Sequence, residues 1–400
     1  APPAAEAPAD IPRETLGPDA VAPISGAIAE GGLAAAEARL ALGAKGDPSK
    51  LMALGGVRLL RALEGAIHAR WRHGLAPIAG VPILRLELPE NPSPAPWAPD
   101  AVEAALTGFL AQLALAEEAL AAAEGAMSEA PDDAIALTVA LSDLWFDVNA
   151  DGRRDAGEDL LTLARSAGLR TGAGAETAIV RFDVADLSWM RAYVHLLSAV
   201  AEFGLALEPT AALERLAALD GELAQATLSR EGVGAGLDQA APLWMMLTAP
   251  APDRERTRAA LGHLQEMVAQ NRVFWTRIGA ETDNAGEWIP NPRQASALGG
   301  ARVPAEAAAA WVETLQNLDK VLKGELLLPH WRYGPTEDGQ TVGVNLRRVL
   351  TDPLTFDPAL WAQGAAAAPY IEAGPQVTGD AFDRFARLVG DPFRFALWFN

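Results

Sequence analysis

The chain of 400 residues contains no cysteine, which excludes disulfides, thiolate nucleophiles, iron–sulfur clusters and Cys-ligated zinc. Cations are scarce as well. Lys and Arg total 32 against 52 Asp and Glu, a formal net charge of −20, and the lysines are Lys45, Lys50, Lys320 and Lys323 alone. Nucleic-acid affinity rests on cations that neutralise phosphates, so this balance, without any basic run, argues against DNA, RNA or an anionic membrane surface as partner. Long apolar runs are missing too. The best candidate, residues 104–116, stops at Glu117-Glu118, short of the roughly 20 residues that a membrane helix needs. There is no H-E-x-x-H zinc motif among the five histidines, no Walker lysine and no G-x-S-x-G elbow. These absences lower the expectation of an enzyme, although paired carboxylates leave no local signature.

What is present suffices for a core: half the residues are hydrophobic and 21% are charged, the balance of a globular chain of one large or two medium domains. The opening Ala1-Pro2-Pro3-Ala4-Ala5-Glu6-Ala7-Pro8 has neither a basic nor an apolar stretch, and it reads as a mature end left by a signal peptidase. Export to a periplasm or to the exterior is therefore expected.

Apolar residues recur at spacings of three and four over 33–42, 51–73, 101–123, 133–146, 187–205, 210–228, 253–278, 305–323 and 380–388, which predicts a mainly α, multi-helix protein. Short alternating stretches at 81–88, 177–182, 326–328 and 342–346 predict a few strands. Residues 1–25 are expected as a flexible Pro/Ala-rich lead, 26–205 as a helical domain, and 206–400 as a second helical subdomain packed on the first.

The sharpest pattern lies at 147–158. Counting from Asp147, Asn149 is third, Asp151 fifth, Gly152 sixth, Asp155 ninth and Glu158 twelfth. This spacing resembles the EF-hand calcium loop, particularly the dockerin-like extracellular kind, in which a tight turn brings alternate oxygens onto a hard cation. The resemblance implies Ca²⁺ bound by Asp147, Asn149, Asp151, the carbonyl of Arg153, Asp155 and Glu158, with an incoming helix through 146 and an outgoing one after 158. Other hard cations would suit the same oxygens. Arg154 stands where a paired loop carries an apolar strand residue, so a back-to-back partner loop is not expected, and calcium is expected to be structural.

A second concentration of polar residues surrounds the predicted helix start at 187. Asp183, Asp186, Arg191 and His195 form a candidate polar pocket, although Asp186 would serve equally as a helix cap. The acidic stretch 281–288 has the wrong spacing for a calcium loop and reads as a solvated turn. Eleven tryptophans against three tyrosines supply large flat surfaces for the core or for a protein or glycan partner. The expected role is a calcium-stabilised binding or scaffold module; the rival is a carboxylate-based enzyme acting on glycans.

Overall fold

The computed structural model describes residues 10–75, 86–96, 98–127, 135–166, 171–172, 174–215, 233–248, 251–298 and 303–389. Trp97, most of the predicted 210–228 helix and the apolar end at 393–400 lie outside the described residues. Helices α1 (Pro23–Gly43), α2 (Pro48–Arg72) and α3 (Ala101–Met127) precede strand β1 (Leu137–Ala140), helix α4 (Leu160–Ser166) and strand β2 (Ile179–Phe182). Next come α5 (Val184–Ala206), α6 (Pro209–Arg215), α7 (Val233–Leu247), α8 (Arg254–Ala280) and α9 (Ala305–Lys323). Strand β3 (Val342–Val344), helices α10 (Leu346–Thr351) and α11 (Pro358–Gln363), strand β4 (Ile371–Ala373) and helix α12 (Asp380–Val389) follow. The protein is mainly α, as its periodicity predicts.

Local chemistry sets the helix ends. Asp47 caps α2 by accepting the Lys50 N–H at 3.0 Å, with Pro48 in the first turn where its missing N–H costs nothing. Asp253 takes the N–H groups of Glu255 and Arg256 at the start of α8. At the other end of α9, Gly324 adopts φ 77°, the left-handed turn that satisfies the last carbonyls.

Two helix pairs organise the interior. α5 and α8 run antiparallel, with the Asp253 N–H donating to Ala206 O at one end and Arg277 Nη1 to Val184 O at the other. α3 also runs antiparallel to α5, from Thr210–Glu103 to Arg191–Glu124. One core cluster spans Met52 in α2 to Phe385 in α12. Phe385 is fully buried against Trp311, ring centroids 4.9 Å apart. The boundary expected between 205 and 206 thus falls at the end of a helix packed along its length on the second half. A second cluster joins α1, α2, both first strands and Leu161 and Leu163. Among the described helices, α3 has the length and composition to cross a membrane, and α5 with α6, bent by 47° at the break between them, have it together; α3 packs on α2 and α5.

Three expectations are corrected. Residues 135–146 are not helical: β1 pairs antiparallel with β2, Leu137 opposite Phe182 and Ala140 opposite Ile179, and a 3₁₀ turn at Leu141–Asp143 follows. Thr138 and Val139 suit a pleated surface, and the partner strand decides the outcome. Of the strand expected at 81–88, residues 81–85 lie outside the described residues and 86–88 are irregular, with the Arg70 guanidinium donating to Leu86 O, and 326–328 forms only isolated bridges to Gln376 and Val344. Last, α1 begins inside the stretch read as a lead, and residues before it are anchored: Ile11 N–H donates to Arg293 O at 3.0 Å and Glu14 N–H to Asn284 O at 2.9 Å.

Candidate functional site

The 147–158 loop leaves β1 through the 3₁₀ turn and is closed at its base by a two-residue bridge. Trp145 faces Asp159; Phe146 N–H donates to Glu158 O at 2.9 Å, and Leu160 N–H to Leu144 O at 3.0 Å. This strand-like base replaces the incoming helix that the EF-hand resemblance implies. The outgoing helix, α4, is present.

Inside the loop, side-chain oxygens are wrapped by backbone donors. Asp147 Oδ1 accepts the Asp151 N–H at 3.0 Å and Asp147 Oδ2 the Gly152 N–H at 2.9 Å. Asn149 Oδ1 shares the Asp151 N–H at 3.0 Å, and Asp151 Oδ1 accepts the Arg153 N–H at 2.8 Å. Gly152 sits at φ 74°, a conformation that glycine reaches without steric cost. Glu158 is 1% exposed and closes the ring: Oε1 accepts the Val148 N–H at 2.9 Å and Oε2 the Asp155 N–H at 2.8 Å. Burial pushes the Glu158 carboxyl up, and the nearby charges of Asp147 and Asp155 push it the same way. Arg154 explains its own departure from the motif, since its Nη2 folds back to Ser142 O at 2.9 Å.

The donor set suits a hard cation: four carboxylates, one amide oxygen and the carbonyl of Arg153 in twelve residues. Their present arrangement does not converge on one point. Asp147 and Glu158 direct both oxygens at N–H groups, and among the described residues no three His, Asp or Glu side chains stand close enough to hold an ion together.

The candidate pocket of Asp183, Asp186, Arg191 and His195 is not assembled as one site. All four lie on α5 or its cap, but 12 residues of helix separate Asp183 from His195, roughly 18 Å. Asp183 and Asp186 form a reciprocal capping box, with Asp183 Oδ1 accepting the Ala185 N–H at 2.8 Å and Asp186 Oδ2 the Asp183 N–H at 3.1 Å. Arg191 instead pairs with Glu117 and Glu124 of α3, and His195 Nδ1 meets His263 Nδ1 of α8 at 3.0 Å. Burial works to raise the Glu117 carboxyl, but hydrogen bonds from His195 and Arg191, together with their charge, hold it below its ordinary range.

The capping box opens onto the stretch 281–288, read from sequence as a solvated turn, and onto the residues that follow it. Asn284, Glu287, Asn291, Gln294 and Ser296 are all buried. Gln294 Nε2 donates to Glu281 Oε2 and to Asp283 O, both at 2.9 Å. Arg181 pairs with Asp283 at 2.9 Å. Burial, then the charge of Asp183, raises Glu281 to about 9; burial also raises Glu287 to about 7, and Asp186 and Asp183 are lifted by burial and by their acidic neighbours. The signal available in sequence was the apolar Trp288-Ile289-Pro290 inside an acidic stretch, which a solvated turn does not need. A groove of about 540 Å³ between α8 and α9 is lined by Trp275, Ile278, Pro292, Ala308 and Val312 rather than by these acids.

Compared with protein-family models, with curated proteins and with solved structures, the chain matches none.

Proposed function

We propose that residues 147–158 bind Ca²⁺ and that the ion stiffens the junction between the first small sheet and α4, in a protein that works as a binding or scaffold module. The observation that carries this reading is the ring of hydrogen bonds through which Asp147 and Glu158, the first and twelfth loop positions, fold the segment on itself. Acidic groups held this near one another repel, and a divalent cation relieves that repulsion while rotating the carboxylates inward. A loop whose eighth residue is turned away to Ser142 does not offer the apolar position through which sensor loops pair, which favours a structural ion over a regulatory one.

The binding role draws on Trp331. It is 75% exposed, yet its Nε1 is fixed on Ala362 O at 3.1 Å and Arg332 lies over its ring at 5.2 Å. A rigid aromatic face of this kind suits a protein or glycan partner. The test is thermal unfolding of chelator-treated protein with added Ca²⁺ or Mg²⁺. Binding to the folded state alone raises the midpoint with concentration, so a Ca²⁺-dependent rise supports the reading and an unchanged midpoint at millimolar Ca²⁺ overturns it.

A further inference from the structure

Glu64 lies outside the twelve-residue motif, on α2, and is 6% exposed. Its Oε1 accepts the backbone N–H of Asp147 at 2.9 Å across 83 residues of sequence, and its Oε2 accepts from Arg61 Nη1 at 2.8 Å. Arg61 Nε stands 3.5 Å from Glu37 of α1, which also receives Arg58 Nε at 3.2 Å. A buried carboxylate is costly unless its lone pairs are filled, and here one oxygen is filled by a helix cation and the other by the first residue of the loop.

We propose that Glu64 is a positioning residue of the cation loop: it fixes the backbone from which the Asp147 side chain departs, and so ties ion binding to α2 and, through Arg61 and Glu37, to α1. The inference rests on the reading of 147–158 as a Ca²⁺ loop. The geometry separates Glu64 from an ordinary buried ion pair, because Arg61 reaches only Oε2 and the other oxygen is spent on the backbone of Asp147. Groups that orient metal ligands from outside the coordination shell typically cost 10–100-fold in affinity when removed.

Calorimetric titration of the full chelator-treated chain with Ca²⁺ tests it, using E64M, which fills the space without an acceptor, and E64Q, which keeps an acceptor oxygen for the Asp147 N–H. Amide exchange at Asp147 in metal-free protein supplies a second readout. The expected results are a 10–100-fold loss of affinity in E64M, near wild-type affinity in E64Q, and faster Asp147 exchange in E64M alone. Equal affinity in wild type and E64M overturns the inference and leaves the loop reading standing. E64Q as weak as E64M also overturns it, since charge rather than position would then be at work. A wild type that takes up no Ca²⁺ overturns both, and Asp147 exchange unchanged in E64M removes the positioning contact itself.

Discussion

His195 and His263 face each other across the α5–α8 seam, Nδ1 to Nδ1 at 3.0 Å with ring centroids 5.2 Å apart. At that distance one nitrogen donates and the other accepts, so the contact holds a single bridging proton.

This arrangement predicts acid sensitivity. Burial, then the neighbouring His195, lowers the His263 pKa, against the opposing charges of Glu202, Glu117 and Glu266. A histidine with a depressed folded pKa binds fewer protons folded than unfolded, so its contribution is present above the unfolded value of about 6.5 and is lost as pH falls below it. The H263N variant is expected to show a smaller drop in urea midpoint between pH 7 and pH 5 than the wild type. An identical drop in both would remove the pair as the cause.

On the alkaline side the carboxylates around Glu281 govern. Glu281 at about 9 and Glu287 at about 7 stay protonated in the folded protein at pH values where the unfolded chain has released the proton. The stability from such raised groups is fully present below about 4.5 and is lost as pH climbs through the folded values. The unfolding temperature is therefore expected to decline between pH 7 and 9. E281Q, whose amide oxygen can still accept from Gln294, should flatten that decline; a slope equal to wild type would contradict the account.

Gly32 supports the loop from α1. It adopts φ 71°, and a Cβ placed there would stand 3.0 Å from Trp145 Cζ2. Trp145 opens the loop's base and donates its Nε1 to Ile28 O at 2.7 Å. Gly32→Ala combines backbone strain with displacement of that ring, an expected loss of about 1–3 kcal/mol. Chemical denaturation reads it directly, together with altered near-ultraviolet dichroism from Trp145. A neutral effect would mean that the kink in α1 relaxes freely.

How far the sequence revealed this depends on how local each determinant is. The start of α8 was legible because Asp253 acts on N–H groups two or three residues away; α2 and α5 begin three residues before the expected 51 and 187, capped by Asp47 and Asp183, because apolar spacing marks the buried face rather than the cap. Residues 135–146 were not, because Leu137, Leu141 and Leu144 satisfy a helical spacing equally well and only the distant strand β2 selects the extended form. The stretch 281–288 was misread for a related reason. Asn284 and Glu287 are buried through contacts made by Ile11 and Arg181, which no local pattern announces. Asp183 and His195, adjacent in a linear reading, were separated by the length of the helix that joins them.

Calorimetric titration of the chelator-treated chain with Ca²⁺, beside a variant carrying Asp147→Ala and Glu158→Ala, tests most directly whether the loop at 147–158 holds an ion. The account predicts one Ca²⁺ per chain in the wild type, with Mg²⁺ bound far more weakly by a flexible oxygen shell, and no saturable heat in the variant although it remains helical. No uptake by the wild type, or equal uptake by both proteins, would contradict it.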